Sequence, residues 1–198
     1  DTSVCGNTAS DPNGSQLYGL WTDAGGNSIS GDCDGVISVC PSGCDRASID
    51  EALAVSVDGD VIEISAGTYP VTSTLRTHGK SITLRGSVDA EGNPTTILDG
   101  QSNQQVLRVN QGEDGTTVFE NLLITNGSSS NGGGMAIYNA SPSLTNCTFT
   151  NNWSSQHGGG LYVENTSGDP VSLDRCLFSA NTANRGGGIY VYGSGMVM

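Results

Sequence analysis

The sequence predicts an all-β chain wound as a right-handed parallel β-helix, a β-solenoid of about five to six coils. Two observations carry the prediction. The first is a triple glycine followed by an apolar alternation, found at Gly132-Gly133-Gly134, Gly158-Gly159-Gly160 and Gly186-Gly187-Gly188, with spacings of 26 and 28 residues. The second is a segment that recurs between them, Asn146-Cys147-Thr148-Phe149 and then Arg175-Cys176-Leu177-Phe178, with a weaker copy at Asn121-Leu122-Leu123-Ile124. A period of this size, made of short alternating strands and turns, is one coil of a solenoid.

Apolar residues at i and i+2 point to one side of a strand. Such pairs are Ile62/Ile64, Ile82/Leu84, Leu107/Val109 (or Val106/Arg108), Met135/Ile137, Leu161/Val163, Val171/Leu173 and Ile189/Val191. A single coil cannot bury such a face, so coils must stack, each strand pairing in parallel with those above and below. The glycines suit sharp corners, which need positive φ or close backbone approach. Asn126, Asn151 or Asn152, and Asn181 are expected at equivalent corners, where stacked amides can hydrogen-bond along the axis. Cys147 and Cys176 occupy the slot of Leu122, one coil on. They are read either as two stacked thiols or as a bridge.

Upstream, Ser48-Ile49-Asp50-Glu51 is a capping-box sequence. Ile49, Ala52, Leu53 and Val57 then fall on one helical face, so a helix at about 48–57 is expected to cover the first coil. Turns at Asp58-Gly59-Asp60 and Ser65–Tyr69 bracket a strand at Val61–Ile64, and further short strands follow. Two units are expected: an irregular N-terminal extension, 1–45, and a β-helix, 46–198. Cys5, Cys33, Cys40 and Cys44 crowd the extension and read as two disulfides of open connectivity. Zinc is the rival there, but Cys5 and Cys33 form no pair to match Cys40-Pro-Ser-Gly-Cys44.

The charge is uneven. Residues 1–60 hold ten acids and one base, and the whole chain carries −13. No basic patch exists to neutralise phosphates, which argues against nucleic acid as a partner. No apolar run approaches the ~20 residues that span a membrane. With an even cysteine count and a loop-rich chain, the expected location is secreted, extracellular or on the cell surface.

The stretch from Ser48 to Gly100 resembles the start of pectin-lyase-like β-helix proteins. The elements concerned are Ile49-Asp50-Glu51-Ala52-Leu53, Gly59-Asp60-Val61-Ile62, Gly67-Thr68-Tyr69 and Ile82-Thr83-Leu84-Arg85-Gly86. The stretch from Asn121 to Val191 resembles the repeats of polymorphic outer-membrane proteins and related bacterial surface proteins. It carries Gly133-Gly134-Met135-Ala136-Ile137, Phe149-Thr150-Asn151-Asn152 and Phe178-Ser179-Ala180-Asn181. Together the two resemblances imply the fold, which carries lyases, hydrolases, esterases, adhesins and passive stalks alike.

Catalytic chemistry finds little footing. Glycoside hydrolysis needs two carboxylates about 5–10 Å apart, and no acids sit at matching positions on adjacent coils. Asp99 has no aligned acidic partner. Gln156-His157-Gly158 lacks the paired aspartates of a polygalacturonase-like site, and His157 reads as a corner residue. His78 reads as an exposed turn. Arg85 and Arg108, without an acidic cluster, read as outward ladder residues. No catalytic residue, cofactor or metal site is therefore assigned. Calcium at Asp32-Cys33-Asp34 or Asp58-Gly59-Asp60 is a weak expectation, since neither segment forms a full calcium loop. Asn-x-Ser/Thr sequons make Asn126, Asn139, Asn152 and Asn165 glycosylation candidates, with Asn146 set aside inside a strand.

The sequence stops just after a strand and offers no polar or helical cap there, so an uncapped C-terminal end is expected. Ile189, Val191, Met196, Val197 and Met198 are the candidate assembly surface. The expected partners are further copies joined head to tail, or other surface proteins, with glycans as a further class. The reading is thus a structural or adhesive extracellular solenoid. Its alternatives are a carbohydrate-active β-helix enzyme and a non-catalytic glycan-binding module.

Overall fold

The computed structural model describes residues 35–165, 169–193 and 196–198, together with two paired strands, Ser3–Val4 and Ser28–Ile29. It is a right-handed parallel β-helix, the hand that parallel crossovers adopt. One face has seven strands, in spatial order from Val36–Val39 through Val61–Ile64, Thr83–Gly86, Val118–Glu120, Ser143–Thr145 and Val171–Asp174 to Met196–Val197. A second and a third face have five strands each, and a three-stranded corner sheet lies between them in the later coils. All of these ladders are parallel and the faces run in register, so every inward residue sits above its counterpart.

The core is therefore a set of columns. On the first face Ile37, Ile62, Leu84, Phe119, Leu144 and Leu173 stack. On the second, Leu98, Ile124, Phe149 and Phe178 stack, and the two phenyl rings lie parallel with centroids 4.7 Å apart. On the third, Leu107, Met135, Leu161 and Ile189 form one column, and Val109, Ile137, Val163 and Val191 another. All of these but Phe178, Ile189 and Val191 are buried. Leu107/Val109, not Val106/Arg108, is the pair on the strand's inner side; Val106 is buried too, at the corner before it.

The glycine triplets serve two needs at once. Gly132, Gly158 and Gly186 take φ of 61, 59 and 60°, which turns the chain into the third face. The next glycines admit the neighbouring coil. A Cβ on Gly133 would lie 2.2 Å from the Trp153 carbonyl oxygen, and one on Gly134 2.6 Å from that of Gly160. Two other corners are left-handed without glycine. Asn121, Asn146 and Arg175 form one column, and Asn126, Asn151 and Ala180 the other, all with φ between 51 and 59°. Asn152 and Asn181 sit one position further on, inside the coil. Asn146 is thus a corner residue and not part of a strand.

Helix Ile49–Val55 is capped by Ser48, whose hydroxyl accepts the Glu51 N–H at 3.2 Å. Ile49, Ala52 and Leu53 are buried beneath it. Val57 is not on that face: the chain leaves the helix after Val55, and Val57 is exposed. One further expectation is corrected. The strand Val36–Val39 falls within the stretch read as an irregular extension, yet it pairs with Val61–Ile64 and sends Ile37 and Val39 into the core. The helix therefore packs beside a rung that precedes it in the chain.

Between that strand and the helix, Cys40 and Cys44 are joined by a disulfide with Cα atoms 5.6 Å apart. The Asp45 carboxylate accepts the N–H of Ser38 at 2.8 Å and also its hydroxyl, folding the small loop back on the strand. Cys5 and Cys33 lie outside the described residues, as do Asp32 and Asp34.

Candidate functional surface

Side chains that alternate outward from the faces form columns as regular as the core. On the first face the column runs Ser38, Glu63, Arg85, Glu120, Thr145, Asp174. Arg85 donates through Nη1 to Glu63 at 3.1 Å and through Nε to Glu120. Glu120, and after it Glu63, raise the Arg85 pKa further above its ordinary value. So Arg85 does have acidic neighbours, contrary to the sequence reading. The two carboxylates are not a pair across a cleft, however: they stand one coil either side of the single guanidinium that pairs with both. The Arg85 and Glu63 side chains are 43% and 50% exposed, so this ladder is screened and contributes modestly to stability.

Beside it lies a shallow recess of about 390 Å³, lined by Ser38, Glu63, Ser65, Arg85 and Ser87. The Ser65 and Ser87 hydroxyls donate to the Val39 and Ile64 carbonyls at 3.0 Å each, so both are oriented by the coil beneath.

The third face carries aromatic rings outward. Tyr162 lies between Tyr138, at 5.5 Å between centroids, and Tyr190, at 5.8 Å and nearly parallel. Arg108 covers the Tyr138 ring at 5.5 Å. The Tyr162 hydroxyl donates to Glu164 at 2.8 Å; burial, then the Glu164 carboxylate, push its pKa up. His157 closes the cluster from the corner sheet, 4.4 Å from the Tyr190 ring, with Nδ1 3.1 Å from Asn131 Oδ1. It sits against the Tyr162 and Tyr190 rings and the Asn131 amide, the setting of a corner residue. His78 is an exposed turn residue with φ 58°.

Other candidates resolve as structure. Asp99 accepts the Gln101 N–H at 2.8 Å and the Asn126 amide at 3.0 Å, fixing a turn. Asp58 accepts the Ser81 N–H of the next coil, and Asp60 accepts the Val57 N–H within the turn. Among the described residues, no group of three or more His, Cys, Asp or Glu converges to hold a metal ion. No helix among them is long and apolar enough to cross a membrane.

Two glycosylation candidates are removed. Asn152 is enclosed: its Oδ1 accepts the Gly127 N–H at 2.8 Å, and its Nδ2 donates to the Ile124 carbonyl at 2.9 Å and to Asn181 Oδ1 at 3.0 Å. Asn165 is enclosed as well, with Nδ2 spent on Ser141 and the Asp169 carbonyl. Asn126 is half-buried and bonded to Asp99, while Asn139 is exposed at a turn. Of the assembly candidates, Val191, Val197 and Met198 are exposed, and Ile189 and Met196 half-buried against the core.

What sequence reasoning missed is the outward register. The Glu63–Arg85–Glu120 ladder joins residues 22 and 35 positions apart, and only the strand pairing aligns them. The corner sheet of Ser128–Asn131, Trp153–His157 and Thr182–Arg185 is polar and had no alternation to reveal it.

Comparison with known proteins bears on the last coils. The model of the Chlamydia polymorphic membrane protein repeat matches residues 146–164 and 175–192. Each matched segment begins at a left-handed corner, runs through the second face and corner sheet, and reaches the third face. No curated protein and no solved structure matches the chain. The chain is a parallel β-solenoid whose repeats are similar to those of chlamydial polymorphic membrane proteins.

Proposed function

We propose that this chain is an extracellular structural or adhesive solenoid, a stretch of cell-surface scaffold that displays its faces and catalyses no reaction. One observation carries the reading: two successive coils match a surface-protein repeat, and in the structure those coils stack in register as interchangeable units. The outward columns support it. They hold hydroxyls, amides, an ion-paired charge ladder and self-packed tyrosines.

The contact proposed for such a unit is continuation of its own ladder. Leu177, Val191 and Tyr192 are exposed on the last full coil. A further coil in the same register would cover them, supplied either by more of the same chain or by a second copy. Electron microscopy of the non-reduced protein across a dilution series, with a polysaccharide-cleavage assay on the same sample, tests the reading. Regular particles or fibres that leave every polysaccharide intact are expected. Release of unsaturated or reducing sugars at a catalytic rate would overturn it.

A further inference from the structure

Cys147 and Cys176 are free thiols placed one above the other. Thr148 pairs with Leu177 and Phe149 with Phe178, so the two cysteines, each one residue before its strand, are register partners on adjacent coils. Cys147 Sγ lies 3.5 Å from the carbonyl oxygens of Phe119 and Thr145. Cys176 Sγ lies 3.6 Å from that of Leu144 and 3.5 Å from that of Asp174. Leu144 is the register partner of Phe119, and Asp174 of Thr145. The two side chains thus have the same orientation one coil apart. Strand neighbours stand about 4.8 Å apart, inside the Cα separation of about 4.4–6.8 Å that a disulfide bridges.

We propose that Cys147 and Cys176 close into a disulfide under oxidising conditions, a covalent rung between the two coils that match the repeat. The polarity of the pair favours the reaction. The Cys147 thiol beside it lowers the Cys176 thiol to about 7, while Cys147, facing Cys176 and fully buried, is pushed up. Cys176 is therefore the thiolate that attacks first, and it is the less buried of the two.

With oxidised glutathione as oxidant, the Cys176 thiolate attacks one glutathione sulfur. The glutathione S–S bond breaks, a mixed disulfide forms and one glutathione thiolate leaves. That thiolate takes the Cys147 proton. The Cys147 sulfur then attacks Cys176, expelling the second glutathione thiolate, which is protonated from solvent. Two thiols and one glutathione disulfide become one protein disulfide and two glutathione thiols, with two electrons passed to the oxidant.

The inference takes only its oxidising surroundings from the proposed location. The test supplies its own oxidant, so the two readings fail separately. The whole protein is incubated with oxidised glutathione, denatured without reductant, alkylated and cleaved with trypsin. Arg108, Arg175 and Arg185 are the tryptic sites that bound the two cysteines, so Cys147 falls on segment 109–175 and Cys176 on segment 176–185. The expected product is these two segments joined, two hydrogen masses lighter than their sum and separable by reductant. It should form faster as pH is raised through about 7. The oxidised protein should melt several degrees above the Cys147→Ser/Cys176→Ser variant. Recovery of both segments singly alkylated would overturn the proposal. So would glutathione trapped on Cys176 without closure, or either cysteine joined to a different partner. The single variant Cys176→Ser keeps a hydroxyl in the slot; it should fold, and under the same treatment should yield no joined segments.

Discussion

Replacing Asn152 with alanine tests the inner asparagine column most directly. The side chain is 1% exposed and makes three hydrogen bonds inside the coil. The Gly127 N–H finds its acceptor there, and Gly127 is buried. Alanine would strand that donor, at about 1–3 kcal/mol, and would remove two more bonds at about 0.5–1.5 kcal/mol each. The expected loss is about 4 kcal/mol, or roughly 10 °C in melting midpoint for a chain of this size. Ser155→Ala, at an exposed position on the neighbouring strand, should change stability by less than about 0.5 kcal/mol. Thermal unfolding gives the totals, and amide hydrogen exchange locates the damage. The Gly127 amide should lose its protection while Ile62 and Leu84, in the early coils, keep theirs. A loss below about 1 kcal/mol with Gly127 still protected would refute the claim that this amide ties coil to coil.

Two further outcomes follow from the same geometry. Gly127→Ala should destabilise by about 3 kcal/mol or more, because its Cβ would sit 2.0 Å from the Gly133 carbonyl oxygen and neither backbone can yield cheaply. Gly92→Ala, with φ 85° and open space around it, should cost only about 1 kcal/mol, and paired denaturation curves separate the two. Glu113 gives a pH dependence: burial would raise its pKa, but the Thr77 hydroxyl and the Gln111 and Gly79 N–H groups outweigh burial and hold it below its ordinary value. Since the folded pKa is depressed, this stabilisation is fully present above about pH 4.5 and is lost as pH falls through the folded value. Glu113→Gln should therefore be less stable than the parent near neutrality, and the gap should narrow on acidification when melting is followed across that range.

The inner half of this molecule was far more legible in the sequence than the outer half. Each inward residue of a solenoid meets the same neighbours one coil later, so the constraint repeats along the chain. Leu161/Val163, Ile189/Val191 and the glycine triplets declare themselves for that reason. Val36–Val39 carries the same alternation in Ile37 and Val39, but it adjoins the Cys40–Cys44 loop, whose composition suggested an irregular segment. The sequons showed the same limit. A motif marks Asn152 and Asn165 as acceptors, and only the register shows that their amides face inward and are already bonded. Outward neighbours such as Glu63, Arg85 and Glu120 depend on how many residues each loop adds, which the core pattern does not record.

That looseness at the corners sets the economics of the whole surface. Successive strands of the first face are 25, 22, 35, 25, 29 and 25 residues apart in the chain, yet each advances the stack by one strand spacing of about 4.8 Å. Axial length is therefore uncoupled from chain length. A coil can lengthen its outer loop by a dozen residues, as the stretch from Thr83 to Val118 does, without moving any coil above or below it. A scaffold built this way keeps a constant ruler inside while its exterior is free to vary coil by coil.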